Sequence, residues 1–411
     1  MKSISKKFKE KGIYGTCNAI RTRCTETPRK IFINIKLKKL INDYQARLKK
    51  GLEIKEIREK TLNYIESMRV KDEPYGKYRY SESQKYPVLY ASLYAALTRH
   101  LYRDLDTLTE KQRKEWIDYI QSFQDDDGLF KDTAVENEIA ASCDWWGWRH
   151  LTLHALMALT VLGATAMKRF KIIDPFKETD FTIRWLENRD WVIDPANTSN
   201  EVQNYFTLLH YARDFQGEGW ADKILEKAYG WLNEKQDSKT GLWGVRFDTP
   251  TNLSNGVQTG YHIWLLYFYD KRLIRNVERI IDSCLSTKNE IGGFGVPLNS
   301  SACEDIDSID PLIRLSSITN YRKSDIHSAI QKAIPWIITN MNEDGGFVFR
   351  RMEPFVYGHQ LMSSCKDESA MFPTWFRTLS LAYVGKYLPD SLPGKFDWQF
   401  IKCPGHQFWN M

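Results

Sequence analysis

A repeat constrains this chain more than any other feature. Six times an amphipathic segment carrying an aromatic or Ile near its end runs into a polar turn and then an aromatic, usually just after glycine. The copies are YIESMRVKDEPYGKY (64–78), YIQSFQDDDGLF (119–130), WLENRDW (185–191), WLNEKQDSKTGLW (231–243), IIDSCLSTKNEIGGF (280–294) and WIITNMNEDGGF (336–347). The turn positions Gly76, Gly128, Asp190, Gly241, Gly293 and Gly346 lie 52, 62, 51, 52 and 53 residues apart, and the third copy has lost its glycine. Self-similarity at such a period marks one repeat architecture rather than a string of independent domains. Glycine after an amphipathic helix supplies the left-handed residue that closes it, so a helix C-terminus is expected at each turn.

After each turn comes a second helical segment, roughly 84–101, 144–163, 199–214, 255–270, 304–318 and 368–387. Several are apolar on most faces (ALMALTVLG, YHIWLLYFY), as helices surrounded by neighbours should be, whereas the segments before the turns are charged on one side. Hairpins whose apolar faces only their neighbours can cover close into a ring. The expected fold is therefore all-α: a single (α/α)6 toroid over residues 52–395, preceded by a basic N-terminal arm (1–51) and followed by a C-terminal tail (396–411).

Charge sets the arm apart. Residues 1–50 hold 15 Lys and Arg against 3 Asp and Glu, an excess of 12 in a chain of net +6, which leaves the remainder at −6. Such an arm suits peripheral contact with an anionic membrane face, or it stands as a solvated tail. A net acidic body without a recognition motif does not suit nucleic acid. No run of eighteen apolar residues is present and the N-terminus is too charged for a signal-peptide core, so the expected location is the cytoplasm, peripheral to membrane if the arm docks. Seven scattered cysteines without a CxxC pair give neither a disulfide framework nor a zinc knuckle.

In a hairpin ring all inner helices run the same way, so their N-terminal ends gather at one rim, and the unusual residues are found there. The second inner segment brings Trp145, Trp146 and Trp148 and then His150 and His154 one turn apart; the third brings Asn200, Gln203 and Tyr205. The fourth carries Asn255, Gln258, Tyr261, His262 and Trp264, and the sixth has His359 in the preceding loop with Trp375 and Arg377 in the helix. These are the candidate substrate-binding residues, although histidines and tryptophans on inner helices also serve as hydrogen-bonded core. A buried Arg377 would want a carboxylate such as Glu368 or Asp307, or a bound anion. With no HExxH and no third ligand beside His150 and His154, neither metal nor cofactor is expected.

The fifth segment reads Cys303-Glu304-Asp305-Ile306-Asp307-Ser308-Ile309-Asp310-Pro311. As continuous helix it would align Cys303, Asp307, Asp310 and Arg314 on one face and bring carboxyls together on an inner wall. Close carboxyls raise one another's pKa, and a carboxyl protonated near neutrality is a general acid. Asp305, Asp307 and Asp310 are thus the candidate catalytic residues. Asp310 before Pro311 also reads as a helix N-cap with Pro at the first position.

Gln236-Asp237-Ser238-Lys239-Thr240-Gly241-Leu242-Trp243 resembles the QxxxxGxW motif of the prenyltransferase and squalene-cyclase repeat superfamily, and Gln124 to Phe130 resembles a shortened copy. The resemblance covers roughly residues 55–390 and implies the same toroid. Class II terpene cyclases of that superfamily carry DxDD soon after a Gly-Gly-aromatic turn; here Gly292-Gly293-Phe294 precedes Asp305-Ile306-Asp307-Ser308, which is similar apart from the final Ser. By that likeness Asp307 is the proton donor, with Asp305 and Asp310 holding it protonated. Protein prenyltransferase β subunits bind zinc through Asp-x-Cys and a later His, but Cys303-Glu304-Asp305 has the reverse order, so zinc is not implied. The expected activity is protonation-initiated cyclisation of an apolar isoprenoid in an aromatic cavity. The alternatives are a carbohydrate-active toroid acting on a glycan, with two carboxyls or a His and a carboxyl across a wet cleft, and a non-catalytic ring plugged by side chains.

Overall fold

A computed structural model describes residues 31–71, 74–244 and 249–409; residues 1–30 of the basic arm and the last two residues lie outside that range. Six inner helices form the wall of the ring: α3 (Leu89–Leu101), α5 (Trp148–Leu162), α7 (Pro195–Phe215), α9 (Pro250–Tyr269), α11 (Ala302–Leu315) and α13 (Met371–Tyr387). Each packs on the next and α13 returns to α3, so the wall is closed. The outer helices α2 (Ile54–Met68), α4 (Glu110–Gln121), α6 (Phe181–Glu187), α8 (Trp220–Lys235), α10 (Val277–Ser286) and α12 (Lys323–Thr339) alternate with them along the chain. The all-α toroid read from the repeat is the fold observed.

The inner helices start on sequence signals at the rim. Asp194 accepts from the Asn197 amide ahead of Pro195, Thr249 accepts from the Asn252 amide ahead of Pro250, and Ser301 forms a reciprocal capping box with Glu304. The Ser301 cap corrects the reading of Asp310 as a cap. Helix α11 runs through Pro311, and Asp310 sits in its interior, because burial on both sides holds the helix across the missing proline N–H.

The repeated glycines work differently from helix closers. Helix α4 ends at Gln121 with Ser122 as its cap, well before Gly128. Gly128, at φ +90°, stands where a Cβ would come within 2.2 Å of the Arg169 carbonyl, so it is required by close backbone approach between repeats. In the double-glycine turns the left-handed residue is the first, Gly292 or Gly345, and not Gly293 or Gly346. The glutamine ahead of the turn ties it down: Gln124 Nε2 donates to the Gly128 carbonyl at 2.9 Å while its Oε1 accepts from the Met167 and Lys168 amides. Gln236 repeats the first contact with the Gly241 carbonyl, and the Trp243 indole N–H donates to the Leu232 carbonyl. In the third repeat Asp190 replaces glycine, its carboxylate accepting from the Val192 and Ile193 amides. The long 62-residue step holds an extra 3₁₀ turn, Lys171–Lys177.

Residues 31–49, within the stretch read as an arm, form helix α1, which buries Leu37 and Ile41 against Trp336 and Met352. At the other end of the chain, residues 396–409 return into the ring instead of trailing from it. Ile401, Cys403, His406, Gln407 and Phe408 are buried, and Gln407 donates to the Leu97 carbonyl while accepting from the Trp375 indole N–H. No described helix is long and apolar enough to cross a membrane.

Candidate active site in the ring

A cavity of about 310 Å³ opens at the rim where the inner helices begin. Helix α5 supplies His150 and His154, α7 supplies Asn200, α9 supplies Gln258 and His262, and α11 supplies Cys303 and Asp307. The rest of the wall comes from outside the repeat pattern. The connection between α12 and α13 is the longest in the ring, and it contributes Phe349, Arg350, Phe355, Val356 and Tyr357; β1 (Phe355–Val356) pairs there with β2 (Ser363–Ser364). Phe372 and Phe376 of α13 and His406 of the C-terminal segment complete it. Phe349 stacks on Phe355 at 3.9 Å between ring centroids and Tyr357 on Phe372 at 4.4 Å, forming a continuous aromatic wall. Phe349 to Tyr357 and His406 escaped sequence reasoning because they break the repeat, and Phe372 and Phe376 because nothing in an apolar inner segment marks which ring faces the cavity. The length of the connection after Phe347 was the available signal, since long ordered loops in compact domains are commonly functional.

The three candidate acids have separate fates. Asp305 is buried and saturated: Oδ1 accepts from the Phe294 amide (2.9 Å) and Ser300 hydroxyl (2.8 Å), Oδ2 from the Trp336 indole (2.8 Å) and Arg377 Nη1 (2.9 Å). Burial pushes its carboxyl up and Arg377 pulls it down. On balance its pKa is raised, yet three of those donors cannot accept and one carries the buried Arg377 charge, which favours the ionised carboxylate. Arg377 is therefore the structural counter-ion of Asp305, not of Glu368 or Asp307, and no bound anion is needed to explain it. Glu368 instead accepts from the Ser83 and Cys365 amides. Asp310 forms a buried pair with Arg314 Nε at 2.5 Å, away from the cavity lining. The Arg314 guanidinium lies over the Phe268, Tyr383, Phe408 and Trp409 rings and donates to the Phe408 carbonyl.

Asp307 alone faces the cavity. Among the described residues no side chain or backbone group hydrogen-bonds its carboxyl. Burial drives its pKa well above the usual carboxylate range, and the charges of Glu304, Asp305 and Asp310 push the same way. It is the sole carboxyl among the lining residues, and the face shared by Cys303, Asp307, Asp310 and Arg314 runs from the cavity into the core beneath it.

Four imidazoles accompany it. Burial holds His154 and His262 down to about 4 and pushes His150 and His406 well below their ordinary value, so all four are neutral at pH 7. His150 lies between the Tyr90 hydroxyl (2.9 Å from Nδ1) and the Tyr357 hydroxyl (3.3 Å from Nε2). His154 Nδ1 is 2.8 Å from the His150 carbonyl, which can only accept, so Nδ1 carries the hydrogen and Nε2 keeps its lone pair. His262 Nδ1 meets the Ser199 hydroxyl at 3.1 Å.

Other candidate binders lie elsewhere. Trp145 stands at the mouth, but Trp146 packs in the core on Tyr90 with its indole N–H on Met362 Sδ. Trp148 and Trp264 are also core, and the Trp264 ring packs where a Cβ on Gly260 would stand. Trp375 stacks on Tyr94 one layer behind His154. Gln203 is 3.4 Å from His406 Nε2, and Tyr261 packs on the His406 ring, so both buttress that imidazole instead of meeting the cavity. Tyr205 turns outward onto Phe176 and Trp185. Asn255 is exposed in a separate surface groove, and His359 accepts the Leu361 amide in its own loop. Trp and His suit a packed interior as well as a ligand wall, which is why sequence position alone did not sort them.

A family profile for the prenyltransferase alpha-alpha toroid domain matches residues 45–144 and 208–365, more than half of the chain. The chain belongs to this family. No curated protein matches the chain significantly. The family includes prenyltransferases and cyclases, and the zinc centre of the former finds no donor set among the described residues of this toroid. The Asp305 carboxylate is filled by four protein donors, burial pushes the Cys303 thiol up and away from thiolate, and no three His, Cys, Asp or Glu among the described residues are grouped to hold an ion.

Proposed function

We propose that this toroid is a class II terpene-cyclase-like enzyme in which Asp307 protonates an isoprenoid alkene or epoxide and the cavity shapes the ensuing cyclisation. One observation carries the reading: the single carboxyl lining the cavity has no hydrogen-bond partner among the described residues, and burial and neighbouring charges push its pKa well above the usual carboxylate range. In the first step the Asp307 O–H gives its proton to an alkene or epoxide, the alkene π pair or epoxide oxygen taking it, and a tertiary cation forms. A second alkene of the same molecule attacks that cation and closes a ring. The faces of Phe349, Phe355, Phe372 and Phe376 stabilise the moving positive charge, each by ~0.5–2 kcal/mol. The last C–H pair collapses into a double bond as its proton leaves, and the neutral His154 Nε2 is oriented to receive it. Return of that proton to Asp307 through water resets the site.

The volume supports a short isoprenoid, since about 310 Å³ is at the small end of the ~300–1,000 Å³ usual for ligand pockets. Glycosidic chemistry would call for a second carboxyl, which the lining lacks, or a His–carboxyl pair, which Asp307 and the imidazoles could supply; the Trp, Tyr and Phe rings beside them favour an isoprenoid. The test is incubation with a panel of prenyl alcohols, polyenes and their epoxides in deuterated buffer. The wild-type chain is expected to give a cyclic product, with one non-exchangeable deuterium on carbon where an alkene was protonated and an exchangeable hydroxyl where an epoxide was opened, and Asp307→Asn no cyclic product at equal helix content. Undiminished turnover by Asp307→Asn would refute the assigned acid.

A further inference from the structure

Large apolar side chains exposed on this ring are concentrated at one end. Isolated ones need no explanation on a water-facing surface, so their distribution carries the meaning. Twelve are exposed among the described residues. Three of these, Met167, Leu273 and Ile318, occupy the inner-to-outer connections at the end away from the cavity mouth. Tyr86, Trp145, Ile193, Val296 and Val356 come from five outer-to-inner connections around the mouth, with Val192 beside Ile193. The remaining three, Ile31, Phe32 and Ile35, are 55%, 65% and 64% exposed on the first turns of α1. Those turns belong to the same end. Ile33 and Asn34 share a groove with Asn255, Val296 and Glu304, and Glu304 holds Arg350 of the cavity wall at 2.8 Å.

We infer that the mouth end of the toroid is a membrane-docking face, seated in the headgroup layer of an anionic bilayer with Ile31, Phe32 and Ile35 inserted. Charge complementarity selects this occupant. Lys36 and Lys39 are exposed on the same helix, and residues 1–50 carry +12 in a chain whose remainder is −6. Each Lys near an anionic surface adds ~1 kcal/mol, and a helix with an apolar edge and flanking lysines lies in the plane of the interface. The apolar residues project from five separate connections around an opening, a spread that fits a lipid plane better than a peptide groove. With no described helix able to span the bilayer, the contact is peripheral. The inference rests on surface residues alone and stands whether or not Asp307 is an acid.

Sedimentation of the full chain with phosphatidylcholine vesicles, with and without phosphatidylserine, tests it. The wild-type chain is expected to pellet with the anionic vesicles and to be released by salt. The triple variant Ile31→Ser, Phe32→Ser, Ile35→Ser and the double variant Ile193→Asp, Val296→Asp are each expected to partition at least tenfold more weakly, with Leu273→Asp, Met167→Asp at the far end unchanged. Wild-type chain left in the supernatant, rim variants that bind like wild type, or an equal loss from the far-end pair would overturn the inference. Sedimentation velocity on the same samples covers the remaining occupant: a dimer that the rim variants dissolve, without vesicle binding, would assign the face to a second copy of the chain.

Discussion

Two aspartates two positions apart should respond very differently to the same substitution. In Asp305→Asn the side-chain oxygen can still serve the Phe294 amide and Ser300 hydroxyl, but the new NH₂ meets the Trp336 indole N–H and Arg377 Nη1, so donors face donors. Both partners are fully buried. Each unsatisfied buried donor costs ~1–3 kcal/mol, and an uncompensated buried guanidinium brings the whole to ~3–5 kcal/mol. Asp307→Asn removes a carboxyl with no protein hydrogen bond to lose, so its cost near neutral pH should be below ~1 kcal/mol. Because the folded pKa of Asp307 is raised, its contribution to stability is full below the ordinary carboxylate range and is lost as pH rises through the folded value. The asparagine variant should therefore gain on wild type as pH rises. Denaturant unfolding of both variants between pH 5 and 9 measures the contrast. If Asp305→Asn unfolds no earlier than Asp307→Asn, the division into strut and acid is wrong.

The histidines titrate with the opposite sign. His154 and His262 are held near 4 in the fold, so their contribution is intact above about 6.5 and falls by up to ~3 kcal/mol each as pH drops through 4; replacing either with Gln should flatten the acid limb of the stability profile. Phe376→Leu keeps the wall apolar but removes a π face packed at 4.8 Å on both Phe372 and Trp375, and should lower cyclisation about tenfold or divert it to early-quenched products, read by product analysis. Gly128→Ala forces a Cβ onto the Arg169 carbonyl at a left-handed position and should destabilise the fold by ~1–3 kcal/mol, measured by thermal unfolding. Gln407→Ala strands the Trp375 indole N–H and should cost ~1–3 kcal/mol, with a changed product pattern if the cavity floor shifts.

The ring was legible because its information is local and repeated. Turn glycines, capping residues ahead of Pro195 and Pro250, and apolar inner segments each report on a single hairpin, and six copies reinforce one another. The inward placement of Asp305 and Asp307 followed from the same logic. Which acid is free came only from the likeness to DxDD, because Trp336 and Arg377, which saturate Asp305, come from other helices far along the chain. Asp310-Pro311 misled for the converse reason: a strong local cap signal was overridden by a helix buried on every side. The aromatic wall from Phe349 to Tyr357 and the return of His406 lie outside the repeat, so periodicity carried no trace of them.

Whether Asp307 is an acid at all is decided by its protonation state in the folded chain. Infrared difference spectra of wild type minus Asp307→Asn at pH 7 isolate this one carboxyl from the ion-paired Asp305 and Asp310. Wild type is expected to show a protonated carboxyl C=O band that vanishes in the variant and persists well above the normal aspartate range. An ionised carboxylate signature at pH 7 would contradict it.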